Sequence, residues 1–149
     1  MKKNQVVTQI SAALVFLFIY AALSKLWVFG TFELQLSRSP YITRYAGTVA
    51  WALPTGEILV CLALIYPPTR LLGLSGALTL MSLFSLYIYI MLHYSYYTPC
   101  SCGGVLSLMG WTTHLYFNLF FVALCITGIV IYPRQPNREA SFAGKLSLT

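Results

Sequence analysis

Charge is what this chain has least of. Only 8% of its 149 residues are Asp, Glu, Lys or Arg, about a third of the roughly 25% usual in soluble domains, and none of residues 71–133 carries a charged side chain. That excludes a water-soluble globular domain and leaves room in this stretch for two membrane spans of about 20 residues with a loop between them. Negative charge is scarcest, with three acidic residues against nine basic ones and a net charge of +6. A basic excess can signal nucleic-acid binding, but here Lys and Arg are scattered at the ends of apolar segments and do not line a face, so they read as topology signals and no nucleic acid is expected. Internal repeats and low-complexity stretches are absent, and the length excludes a second domain. Of the four cysteines, Cys61 and Cys125 lie inside apolar runs, where a free cysteine packs as a small hydrophobe.

Four apolar runs are what the chain does have. They predict an all-α membrane protein, a four-transmembrane-helix bundle with spans at about 8–29, 45–66, 71–92 and 112–132, forming a single domain over 1–133 with a polar cytoplasmic tail over 134–149. The opening "MKK" and apolar stretch also fit the start of a signal peptide, but the run exceeds the roughly 7–15 residues of a signal core and continues as "LWVF". The second run contains Pro54 and Glu57 and stops at Pro67 and Pro68, where a helix cannot continue. Lys2, Lys3, Arg70, Arg134, Arg138 and Lys145 fall on one side of this topology and Arg38 and Arg44 on the other, which predicts cytoplasmic N and C termini. Trp27 and Trp111 then lie near the outer surface, as interfacial aromatics do. Gly73 and Gly76 suit close helix packing, and "GTFELQLSRSPYITR" reads as an outer loop with an amphipathic turn on the membrane.

The same topology places "TPCSCGGV" outside, in loop 93–111, where disulfides persist. Two Cα atoms at i and i+2 can be at most about 6.6–7.2 Å apart, against a disulfide window of roughly 4.4–6.8 Å, so Cys100 and Cys102 can be bridged only if the chain bends. Such a bridge closes a tiny ring, adds little stability and is easily reduced, which favours exchange over stapling. Gly103 and Gly104 supply the backbone freedom for the bend and leave the sulfurs open. The loop has no carboxylate, and His93 and His114 flank it, a setting that favours thiolate. A Cys-x-Cys could be half of a soft-metal site, but nothing nearby completes a tetrahedral set, so no metal is assigned; a purely structural link is the other alternative.

Lys25 and Glu57 stand out because an ionisable group inside a span costs about 2.5–3.5 kcal/mol. They are natural partners, yet their positions along antiparallel spans imply an offset near 12 Å at 1.5 Å per residue. A lysine covers that only in part, with water, Ser24 or Thr55 as bridges. Lys25 could instead snorkel to the interface, and Glu57 could satisfy backbone freed by Pro54.

In "YAALSKLWVFGTFELQL", "LPTGEILVCLALI" and "PCSCGGV", taken in that order and spacing, the chain resembles the MauE/DoxX-like family of redox-associated membrane proteins over about residues 15–131. Where the methylamine-utilisation branch reads Cys-Gly-Cys-Phe-Gly, this chain has Ser101 and Gly103. The resemblance implies a multi-pass protein of the bacterial inner membrane that supports maturation of exported proteins by thiol–disulfide exchange with an extracytoplasmic thioredoxin-like partner, a thiol–disulfide oxidoreductase if it turns over. It implies Cys100 and Cys102 as catalytic, Lys25, Pro54 and Glu57 as supporting positions within the membrane, and a quinone as an optional cofactor. The rival expectations are an assembly subunit without turnover and a small-solute transporter built on Lys25 and Glu57.

Overall fold

The computed structural model describes residues 2–39, 41–94 and 110–132. Five α-helices make up almost all of this: α1 (Lys2–Trp27), α2 (Phe29–Ser37), α3 (Ala46–Ile65), α4 (Arg70–Tyr94) and α5 (Trp111–Ile131). Short 3₁₀ turns precede α3 and α4, and there is no strand among the described residues. Four helical stretches are long and apolar enough to cross a membrane, Asn4–Trp27, Thr43–Ile65, Pro67–Tyr94 and Trp111–Ile131. At 1.5 Å per residue even the shortest matches a hydrocarbon core about 30 Å thick.

The long helices pack side by side in a closed order, α1 on α3, α3 on α4, α4 on α5 and α5 back on α1. Each turns one stripe inward at alternating three- and four-residue spacing. On α3 the buried stripe is Ala46, Ala50, Pro54, Glu57, Cys61 and Leu64; on α4 it runs through Leu74, Ala77, Met81, Ser85, Ile88 and Met91. On α1 it is Val7, Leu14, Phe18, Ala22 and Lys25 with Ser11, and on α5 His114, Asn118, Cys125 and Gly128. The outward faces are equally apolar, with Phe16, Leu59, Leu72 and Val130 exposed. Such side chains belong against lipid.

Two details hold this arrangement. Gly73 lets α4 touch the backbone of α3, since a Cβ there would lie 2.7 Å from the Leu64 nitrogen and 2.8 Å from the Ala63 carbonyl carbon. The segment after α1 is helical where the sequence suggested a loop with one turn. Val28 interrupts α1, and α2 then buries Phe32 and Leu36 against Ala46 and Ala50 of α3 in a small core of its own. Arg38 closes α2 by donating backbone hydrogen bonds to its last carbonyls. Pro54 does not end α3; a proline inside a membrane helix is tolerated when neighbouring helices pack around it.

Candidate functional site: an ion pair closed between the helices

α1 and α3 run antiparallel, with Lys25 opposite Glu57 near one end and Val15 opposite Cys61 further in. Lys25 stands two residues before the end of α1 at Trp27, and Glu57 lies about 16 Å down α3 from Ala46 at 1.5 Å per residue. Even so, the Lys25 Nζ donates directly to Glu57 Oε1 at 2.7 Å. The two residues are 5% and 0% exposed. The gap expected from residue counting closes because side chains lean toward the N-terminus of their own helix. In an antiparallel pair that leans Lys25 inward and Glu57 outward, toward each other. The lysine folds back so far that Nζ also approaches the Ala21 carbonyl, one turn earlier, at 3.4 Å. Lys25 thus does the opposite of snorkelling: it leaves the nearby helix end and enters the interior, with the Phe84 ring centroid 5.4 Å from its charge.

Glu57 Oε1 is engaged, but Glu57 Oε2 is buried with no hydrogen-bond partner. Glu57 also lines a cavity of about 40 Å³, whose polar wall it forms with Lys25, His114 and Asn118. Lys25, Phe84 and His114 also border a second chamber of about 220 Å³, otherwise walled by apolar side chains of α2, α3 and α4 such as Phe32, Leu53, Leu83 and Ile88. A neutral pair with a small polar cavity on one side and an apolar chamber on the other can hold a proton, a water or the polar head of an apolar molecule.

The remaining sequence-predicted residues divide cleanly. Pro54 sits on the same buried stripe one turn before Glu57. His114, in the first turn of α5, is buried against the ion pair's cavity, whereas His93 is exposed near the end of α4. There its Nδ1 lies 3.0 Å from the Tyr89 carbonyl oxygen and its ring stacks on Tyr89, away from the cavity. Cys61 and Cys125 are free and buried in the core, and Cys61 donates weakly to the Val15 carbonyl at 3.7 Å. Cys100, Cys102, Gly103 and Gly104 lie outside the described residues. The stretch that carries them leaves α4 after Tyr94 and rejoins the helices at Gly110, beside the turn holding His114. Tyr41 donates to the Tyr94 carbonyl at 3.4 Å, tying the end of α4 to the connection between α2 and α3. Asn118 is the residue sequence reading missed. Its signal was its place four residues after His114, on one face of a helix that is otherwise apolar.

Four apolar helices around a buried ion pair define a multi-pass integral membrane protein. The chain belongs to the MauE family, described as methylamine utilisation protein MauE, whose model matches residues 3–131. No curated protein and no solved structure matches the chain.

Proposed function

We propose that this protein is a thiol–disulfide exchange protein of the bacterial inner membrane, with cytoplasmic termini, in which Cys100 and Cys102 act at the outer face on a thioredoxin-like partner that serves exported proteins. The observation that carries the reading is the convergence of two features at one end of the helices. The segment bearing "CSCGG" leaves and re-enters there, through Tyr94 and Gly110, and the buried Lys25–Glu57 pair shares a cavity with His114, which lies in the first turn of α5 at that same end. Paired thiols in a short, glycine-flanked segment suit exchange, and membership of the MauE family agrees with a maturation role.

In the oxidising direction of the pair, a Cys100 or Cys102 thiolate attacks one sulfur of the partner's disulfide, and the partner's other sulfur leaves as a thiolate and takes up a proton. The second cysteine, deprotonated, attacks the mixed disulfide and releases the partner's remaining thiolate. Two electrons pass from the pair to the partner, and a Cys100–Cys102 disulfide remains. The reverse sequence oxidises the partner. Lys25, Glu57 and Pro54 support this from within the membrane by holding α1 against α3.

The apolar chamber beside Lys25 fits the ring of a quinone, because its 220 Å³ exceeds the roughly 150 Å³ that accommodates benzene in an engineered apolar cavity. Lys25 and His114 are the donors that would hold its carbonyl there. A bound quinone would supply a two-electron acceptor for the dithiol.

The test uses the full chain in lipid vesicles with a thioredoxin-fold protein lacking its resolving cysteine. With the Cys100–Cys102 pair oxidised beforehand, the partner's one thiolate should open that disulfide in the wild type and form a mixed disulfide visible on a non-reducing gel, whereas each single Cys→Ser variant and the double variant, holding no disulfide there, should form none. Unchanged maturation of exported proteins in cells carrying the double variant would sink the reading. The chamber also favours a second reading, transport of a small solute past Lys25 and Glu57. Loss of uptake in Glu57→Gln with normal behaviour of the double cysteine variant would select it.

A further inference from the structure

We infer that Glu57, His114 and Asn118 form a hydrated proton-binding site within the membrane, in which water held on Glu57 Oε2 passes a proton between this carboxylate and the His114 imidazole. The site is independent of the thiol chemistry proposed above and stands on its own geometry.

An unmet acceptor buried at 0% exposure is costly, and native proteins satisfy such atoms with protein groups or ordered water. Lys25 is already directed at Oε1 and the Ala21 carbonyl, so the partner of Oε2 must come from the cavity. The cavity's volume of about 40 Å³ exceeds the roughly 10–15 Å³ that a water needs, and a water also needs two to four polar partners. Oε2 accepts one hydrogen bond from the water, and the Asn118 amide and His114 ring offer the rest. Phe18, Met81 and Phe84 line the other walls.

The direction of exchange follows from register. Asn118 lies one turn deeper in α5 than His114, and His114 lies in the first turn, next to where the chain re-enters the helices at Gly110. A proton from hydronium at that end protonates the imidazole, and the imidazole gives its proton to the water as the water gives one to Oε2. An O–H bond forms on Glu57 and no electrons change hands. While Glu57 is neutral, the Lys25 ammonium, two residues from the end of α1, is free to turn toward the interface. The ionisable groups facing Glu57 are Lys25 from α1, Cys61 one turn along α3 and His114 from α5. Helix α4 contributes Met81 and Phe84, which do not titrate, and Glu33 on α2 is exposed and does not border the cavity.

The sequence makes this testable without altering Glu57, because the three acidic residues are Glu33, Glu57 and Glu139. Full-length protein labelled with ¹³C at the glutamate carboxyl, carrying Glu33→Gln and Glu139→Gln and held in lipid bilayers, gives one side-chain carboxyl resonance by solid-state NMR. We expect a cross-peak from this resonance to water and a shift between the carboxylate and acid positions as pH is varied. The same results are expected after Cys100→Ser and Cys102→Ser. His114→Phe should slow proton exchange at Glu57 about tenfold, the effect of one lost hydrogen bond on a transfer step. A carboxyl with no water cross-peak would overturn the inference, as would one fixed at the carboxylate position at every pH, or one whose exchange is unchanged by His114→Phe.

Discussion

Replacing Lys25 by methionine keeps the length and apolar stem of the side chain and removes only its charge, so the outcome isolates the ion pair. At the observed 2.7 Å separation and an effective dielectric constant near 20, the attraction is about 6 kcal/mol. Holding each charge inside a span costs about 2.5–3.5 kcal/mol, so the intact pair comes close to breaking even. Lys25→Met forfeits the attraction and recovers only the lysine's share, a net loss of about 3 kcal/mol, at the lower end of the ~3–5 kcal/mol typical of a broken buried pair. Glu57→Gln differs, because Lys25 lies two residues from the end of α1 and can turn outward to the interface once its partner is neutral. Its loss should be about 1 kcal/mol, the scale of a lost hydrogen bond. The double variant should lie within about 1 kcal/mol of wild type, so the two single changes do not add. Reversible unfolding in mixed micelles, followed by helical circular dichroism, measures all four proteins. Equal losses for the two single variants would refute the snorkelling argument. Additive losses in the double variant would show that the charges do not stabilise one another.

The contact of α4 with α3 makes Gly73→Ala disruptive, because its Cβ would meet backbone 2.7 Å away; a loss of about 1–3 kcal/mol is expected in the same assay, as for other overpacked sites. Gly56→Ala, where nothing lies within 4 Å, should cause no loss and serves as the control. After mild reduction, a membrane-impermeant maleimide applied from outside intact spheroplasts should label Cys100 and Cys102, while Cys61 and Cys125, 4% and 0% exposed, should react only after unfolding. Labelling of Cys100 and Cys102 from the cytoplasmic side alone would reverse the proposed orientation.

How much of this was legible beforehand differs from feature to feature. The number and order of the spans follow from apolar length, since a backbone in lipid must satisfy its own hydrogen bonds and only a helix of that length does so. Lys25 and Glu57 stood out because charge inside a span is rare. Their direct contact did not, because residue counting omits the lean of side chains toward their helix N-termini. Which way each helix faces was harder still to read. In water an apolar stripe marks the buried side, but here Phe16 and Leu59 point to lipid as readily as Leu14 and Leu64 point inward. The inward stripes carry small and polar residues, and they become recognisable only when set against one another.

Membership of a membrane class, the four crossings, the exceptional pair of ionisable residues and the isolated Cys-x-Cys were all decided by composition and order along the chain, because hydrophobic length and charge are local properties. The tertiary structure decided that Lys25 turns inward, that His114 joins it while His93 does not, and that Asn118 and Glu57 share one cavity. Those relations depend on the rotation and axial offset of helices far apart in sequence. Packing sets both.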